Sequence, residues 1–414
     1  MYNLLSKITS ETSSESFYIS RPELFLQEYE ELISAFRKEY ENTEIAYSFK
    51  TNYLPEFVNI VKSKKGYAEV VSSMELELAL KMGFDPKKIF FNGPFKHFEA
   101  SSKLLESGGL VNIDSIDEIV NIHNFSKKNN IKCRIGIRLN FDLKEYPSRF
   151  GIDCDRDLKL IINLLDSNPN LILESLHYHY ASRDLVSWEV CMNAFLKFLN
   201  TLDNKIINDI RYISLGGGMF SRMDDEIKAQ IKSKIPDFSD YAYVSAKKLK
   251  NHFQKSSINF DNIKLIIEPG TALASKALDF VTQVVGIKNI SGKYIINTTG
   301  SKYNMNPSPN RINSPNQTFL NLGTKQFKIN KGYLCGYTCI ESDIIHNNYN
   351  GRVSLGSFII FKEIGSYSIV MKPPFILPDV PIVEIDKKHN SYKLVRKKQS
   401  FMDVFSNYQN NELK

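Results

Sequence analysis

The sequence predicts an α/β protein: a closed (β/α)8 barrel of the TIM type, joined to a mainly antiparallel β domain. Three observations predict it. Between Ile45 and Glu268, eight short runs of β-forming residues alternate with longer stretches whose apolar residues recur every three or four positions. Such alternation implies parallel strands with helical crossovers, and eight units over roughly 220 residues match the size of a closed barrel. Beyond about residue 280 the strands continue, but no comparable helices lie between them.

The eight runs are "IAYSF", "YAEVV", "KIFFN", "LVNID", "KCRIGIRLN", "LILESLHYH", "RYISLG" and "KLIIEPG". After the second, "SSMELELALKMG" has Ser72 or Ser73 as N-cap and Gly83 as C-cap. The stretches "SIDEIVNIHNFSKKNN" and "WEVCMNAFLKFLNTL" repeat the helical spacing. Past the barrel, "FVTQVVGIKN", "GKYIINTT", "GRVSLGSFIIF" and "VPIVEID" read as strands, and "ESFYIS" near the N-terminus is a candidate to join them. The expected domains are a barrel over 35–280 and a β domain built from 1–34 and 281–414.

Composition removes several classes of function. The formal charge of +7 is spread over 414 residues, with only "VRKKQ" as a basic stretch, so nucleic acid is not the expected partner. No run approaches the roughly 18 apolar residues of a membrane span. The five cysteines are Cys133, Cys154, Cys191, Cys335 and Cys339, an odd number without CxxC or metal-ligand spacing. No bound metal is expected. The opening "MYNLLSKITSETSSES" has no apolar core of a secretion signal. Reduced thiols in the cytoplasm are therefore expected.

In a barrel of this kind, chemistry gathers at the carboxyl ends of the strands. Lys50 directly follows "IAYSF". A lysine there is by default a surface residue. If buried, its ammonium is costly unless paired, and a desolvated amine can instead condense with a carbonyl. "LGGGMF" at 215–220 holds three glycines whose amides can approach an anion, although a tight turn explains them equally well. In "IIEPG", Glu268 is either a loop anion or a carboxylate that keeps a ring nitrogen protonated. "LHYHYAS" places His177 and His179 on one side of a strand. They read as core histidines, as zinc ligands lacking a third partner, or as an imidazole stacked on a flat ring. "CGYTCIESD" sets two thiols beside Glu341 and Asp343, for proton transfer or for simple burial. Together, a lysine, an anion cradle, a ring-nitrogen carboxylate and a stacking histidine on one barrel mouth make the set that pyridoxal 5′-phosphate requires.

From about Phe17 to Tyr408 the motifs "YSFKTNYLPEFVNIVKSKKGYAEVVSSMELELALKMGF", "IGIRLN", "SRFGI", "LHYHYAS", "LGGGMF", "EPG", "CGYTCIESD", "GSYSIVM" and "LVRKKQSFMDVF" follow one another. In this order the chain resembles the alanine-racemase-fold (fold type III) decarboxylases, the group with ornithine, arginine and diaminopimelate decarboxylases. The resemblance implies that Lys50 carries pyridoxal 5′-phosphate covalently, that His179 stacks on its ring and that Arg138 sits by its phenolate oxygen. Glu268 is implied to bind the ring nitrogen. Ser182, Gly216, Gly217, Gly218, Gly270, Thr271 and Tyr367 are implied to complete the cofactor site around its phosphate. It also implies an amino-acid substrate and a homodimer with shared sites, Cys339 reaching the partner's site to protonate the decarboxylated carbon.

Three departures concern the substrate. Thr271 stands after "EPG" where the family usually has arginine. Ile340 follows the cysteine where an acidic residue usually reads the distal group. "YNMNPSPNR", with Asn304, Asn306 and Arg311, stands in place of an arginine-bearing stretch. With Glu341, Asp343 and Phe375 of "KPPFILP", these are the expected substrate residues. The expected substrate is an α-amino acid with a bulky or neutral, conjugated side chain, as for members in siderophore and antibiotic pathways. The alternatives are a simple diamino acid (ornithine, lysine or diaminopimelate), racemase chemistry, and a decarboxylase-like protein that only binds a regulatory partner. A racemase needs a second base on the opposite ring face, and "TCIESD" suits a decarboxylase better. A binding-only form loses cofactor residues that this chain keeps.

Overall fold

The computed structural model describes residues 1–141, 143–180, 182–256, 260–305 and 312–409. The chain divides into two units, one of Leu26–Arg222 with Ser233–Leu273, the other of Met1–Phe25, Met223–Lys232 and Ala274–Lys414. Strand β1 (Phe17–Ser20) belongs to the second unit, and the next nine strands belong to the first.

Those nine are β2 (Thr43–Ser48), β3 (Tyr67–Val70), β4 (Ile89–Phe91), β5 (Leu110–Ile113), β6 (Cys133–Asn140), β7 (Ile152–Asp153), β8 (Leu171–His177), β9 (Tyr212–Ser214) and β10 (Lys264–Ile267). Every pairing among them is parallel. The ring runs β2-β3-β4-β5-β6-β8-β9-β10 and closes where β10 pairs with β2. The short β7 pairs only with the end of β6. The eight strands of the ring are the eight runs read from the sequence.

Local chemistry sets the helix ends. Ser72 accepts from the Glu75 amide at 3.2 Å, and the Glu75 carboxylate reaches back to the Val71 amide at 2.8 Å, so helix Ser73–Lys81 starts with reciprocal capping. Gly83, at φ +76°, supplies the left-handed residue past its end. Ser115 and Glu118 repeat the device for helix Ile116–Asn129.

The barrel interior is layered. Ala46, Tyr67, Phe90, Leu110 and Ile266 form one buried cluster, with Tyr212 packed against it. Strand side chains alternate between faces, so the residue two positions on points to the same side. On these six strands that residue is Ser48, Glu69, Asn92, Asn112, Glu268 and Ser214. All six are buried. An apolar floor therefore underlies a polar layer at the carboxyl ends.

The second unit adds β11 (Leu278–Ile290), β12 (Lys293–Thr298), β13 (Asn316–Phe319), β14 (Gln326–Cys335), β15 (Ile344–Ser354), β16 (Phe358–Phe361), β17 (Ile382–Asp386) and β18 (Ser391–Arg396). Its sheet order is β15-β14-β12-β11-β1-β17-β18, with β16 joining β11 and β13. All pairings are antiparallel except β1–β17 and β12–β14. β1 lies within "ESFYIS". Helix Tyr2–Thr12 contributes Leu4, Leu5 and Ile8 to a core shared with Phe17, Ile19, Val281 and Phe358. "GRVSLGSFIIF" reads as one strand but is two: Gly356, at φ +78°, turns the chain between β15 and β16.

Candidate active site

Lys50 sits in the short 3-10 turn Phe49–Thr51 that ends β2. Its ammonium pairs with the carboxylate of Glu69, a fully enclosed residue on β3, and lies 3.4 Å from Ser48 Oγ. The lysine side chain is 37% exposed, so it is anchored at the barrel wall yet open to a ligand. A buried carboxylate at its side offsets the cost of placing the amine there.

Glu268 is the centre of the polar layer. Its Oε1 accepts from Ser214 Oγ at 2.7 Å and its Oε2 from Asn92 Nδ2 at 3.1 Å, with His177 Nε2 3.3 Å from the same oxygen. Burial pushes its carboxyl up, but His177, Lys50 and the Ser214 hydroxyl outweigh burial and hold it below the usual carboxylate range. Asn92 Nδ2 also donates to Glu69 Oε1 at 3.1 Å, and Asn112 donates to Asn92 Oδ1 at 2.6 Å. One chain of contacts thus joins Lys50, Glu69, Asn92, Glu268 and His177.

The glycine run follows β9. Gly216 and Gly218 have φ of +66° and +91°, and a Cβ on Gly217 would lie 2.4 Å from the Glu268 carbonyl oxygen. Only glycine fits there. The Gly217 amide donates to His179 Nδ1 at 3.1 Å, so His179 presents its lone pair at Nδ1 and carries its proton on Nε2. Burial, reinforced by Arg138 and Lys50, lowers the His179 pKa to about 3, so the ring is a neutral imidazole. Arg138 donates to the His179 carbonyl at 3.1 Å and lies 3.7 Å from Asp114. Ser182 bonds to Asp184, which caps helix Leu185–Leu199. Gly270 packs against Thr51, where a Cβ would meet Oγ1 at 2.0 Å, and Thr271 accepts from Arg183 Nη2 at 3.3 Å.

Lys50, Arg138, His179, Ser182, Gly216 to Gly218, Glu268, Gly270 and Thr271 all belong to the barrel unit. Sequence reasoning missed Glu69, Asn92, Asn112, Ser214 and Arg183. A signal for the first four was present: "YAE", "FFN", "LVN" and "YIS" each place a polar residue two positions after an apolar floor residue, as "IIE" does for Glu268.

The other expected residues belong to the β unit. Cys339 is exposed, the only cysteine in that state among the described residues. Ile340 is half-buried and Glu341 exposed. Asp343, expected to face the substrate, is 3% exposed and held between the segment after β12 and Thr338. Its Oδ1 accepts from Ser301 Oγ at 3.0 Å and the Lys302 amide at 2.9 Å, and its Oδ2 from Thr338 Oγ1 at 2.7 Å. Asn304 is likewise enclosed, with Oδ1 accepting from the Ser301 amide at 3.0 Å. Both Asp343 oxygens are thus occupied by hydroxyl and amide donors, whereas Asn304 Nδ2 is buried without a hydrogen-bond partner among the described residues. Tyr367, at φ +60°, starts helix Ser368–Met371. Phe375 is 39% exposed, and its carbonyl accepts from Tyr337 OH at 3.2 Å. Asn306 and Arg311 lie outside the described residues.

Comparison with known proteins decides the family. Residues 26–275 match the pyridoxal binding domain of the pyridoxal-dependent decarboxylases. The chain belongs to that family. A diaminopimelate decarboxylase of Aquifex aeolicus is 26% identical over 90% of this chain and 87% of its own length. The L-glutamyl-[BtrI acyl-carrier protein] decarboxylase of Niallia circulans is 24% identical over 81% of each. Among solved structures, diaminopimelate decarboxylase of Helicobacter pylori complexed with L-lysine superposes with TM-score 0.81, at 20% identity over 97% of this chain and 98% of that one. The decarboxylase is thus a carboxy-lyase that uses pyridoxal 5′-phosphate on an amino acid.

The donor set of the decarboxylase fits that cofactor. An amine stands next to a carboxylate able to take up its charge. An ionised glutamate suits a protonated ring nitrogen. A neutral imidazole suits stacking, and the glycine run, whose Gly216 and Gly217 amides donate to Ser214 and His179, ends in a half-buried Gly218 next to the ring-binding residues.

Proposed function

We propose that the decarboxylase removes the α-carboxylate, as CO2, from an amino acid whose side chain ends in a bulky, neutral or conjugated group, leaving the amine. Pyridoxal 5′-phosphate, when bound, supplies a carbonyl for amine exchange and a sink for the electron pair that CO2 leaves behind. Lys50 Nζ would hold that carbonyl, beside the Glu69 carboxylate that pairs with it. Glu268, held ionised, would keep a proton on the ring nitrogen and so keep the sink effective. His179 would orient the ring with its uncharged face, Arg138 would serve the ring's phenolate oxygen, and Gly216 to Gly218 with Gly270 would hold the phosphate. Cys339 Sγ moves a proton to Cα.

The observation that carries the substrate reading is the position after Cys339. Ile340 is apolar and half-buried, and the buried Asp343 is already saturated. Neither can pair with a distal ammonium. The relative that acts on a carrier-bound glutamyl group supports a conjugated substrate, and this reading puts the chain among the siderophore and antibiotic members. A second reading rests on Glu341, whose exposed carboxylate could meet the distal ammonium of a simple diamino acid, as the diaminopimelate relatives suggest. CO2 release from a panel of free and conjugated amino acids separates the two. Turnover confined to conjugates supports the first. Efficient turnover of diaminopimelate, lysine or ornithine establishes the second.

The working form in this reading is a cytoplasmic homodimer in which Cys339 serves the partner's site. Mixing inactive Lys50→Ala and Cys339→Ala proteins should restore activity. No recovery after subunit exchange rules out shared sites.

A further inference from the structure

A phosphate monoester carries about −1.5 to −2 charges at neutral pH. Glycine amides offer it dipoles but no net charge, and Thr271, the residue after Gly270, adds only a hydroxyl. The cations already described have partners: Lys50 pairs with Glu69 and Arg138 lies by Asp114. A further cation is therefore needed, and the structure holds one between the two glycine segments.

Arg183 follows Ser182 after β8. Its Nη2 donates to Thr271 Oγ1 at 3.3 Å, and its Cζ lies 5.6 Å from the centre of the Phe220 ring. Thr271 follows Gly270, and Phe220 stands two residues past Gly218. The guanidinium thus reaches both segments at once. Its backbone is fixed: Tyr241 OH donates to the Arg183 carbonyl at 2.5 Å and accepts from the Phe220 amide at 3.3 Å. The adjacent Asp184 is engaged by Ser182 and by the Ser187 amide at 2.8 Å. Among the described residues no carboxylate forms an ion pair with Arg183, and the Thr271 contact uses one of its five N–H donors. A guanidinium held in place with its fork unspent is matched to a phosphate.

We propose that Arg183 is the cation of the phosphate subsite, supplying from the segment after β8 the charge that Thr271 cannot supply after β10. The inference rests on the pyridoxal 5′-phosphate site described above. It goes further by assigning the charge to a residue outside the glycine motifs.

The test titrates cofactor-free, full-length protein with pyridoxal 5′-phosphate and, separately, with pyridoxal, which lacks the phosphate. Binding is followed by absorbance. Arg183→Gln should weaken pyridoxal 5′-phosphate by at least about tenfold, the scale of one charge-assisted contact, and change pyridoxal binding by less than about twofold. Adding Thr271→Arg to Arg183→Gln should recover much of the loss by returning a guanidinium to the same place. Equal weakening of both ligands, or of neither, overturns the proposal. Lys50→Ala is the control for the site itself. If it leaves absorbance changes with both ligands intact, the anchor assignment fails, while the Arg183 comparison still stands or falls on the phosphate alone.

Discussion

Glu69 and Glu268 share one donor group: Nδ2 of Asn92 lies 3.1 Å from an oxygen of each. The amide has two hydrogens and spends one on each carboxylate, while Asn112 holds its oxygen at 2.6 Å. The lysine partner and Glu268 are therefore bridged by a single side chain, with Ser214 and His177 completing the hold on Glu268.

Asn92→Leu should remove that link and leave two buried carboxylates each one donor short. The expected cost is about 2–4 kcal/mol in a urea titration, with weaker cofactor retention on dialysis. Asn92→Asp should cost more, because it places a third carboxylate against two others. Wild-type stability in Asn92→Leu would show that the bridge carries no weight.

His179 should make stability fall with acid. Its pKa is about 3 in the fold, because burial and the neighbouring cations oppose its charge, and about 6.5 when unfolded. Between these values the unfolded chain binds the extra proton. Stability from this group is thus complete above about pH 6.5 and is lost as pH falls toward 3. His179→Gln should flatten the slope of unfolding free energy between about pH 4 and 6.5. An unchanged slope would mean that His179 is charged in the fold.

Asp343 should act on the loop that bears Cys339. Asp343→Ala strands the Ser301 and Thr338 hydroxyls and the Lys302 amide. A loss of about 3 kcal/mol is expected, together with faster hydrogen exchange at Lys302 and Thr338. The order of preference among substrates should stay the same. A changed preference at unchanged exchange would return Asp343 to the substrate.

Much of this was legible in the sequence. Helical spacing between β-rich runs predicted the barrel, and Ser72 with Gly83 marked the ends of a helix. The β domain was read less completely. β14 mixes exposed lysine and other polar residues with its apolar ones, and the six-residue β18 has no buried position, so they carry little of the apolar alternation on which strand reading depends.

The sequence by itself determined the barrel and the candidates Lys50, His179, Gly216 to Gly218 and Glu268, because each belongs to a local motif at a strand's end. Only the tertiary structure decided which side chains meet. Closing the ring sets β10 beside β2, so Ser48 reaches the Glu268 carbonyl at 3.1 Å across most of the chain's length. The same closure lets Asn92 span two carboxylates and Arg183 reach Thr271. Those contacts depend on the stagger of strands far apart in sequence, and no local pattern encodes a stagger.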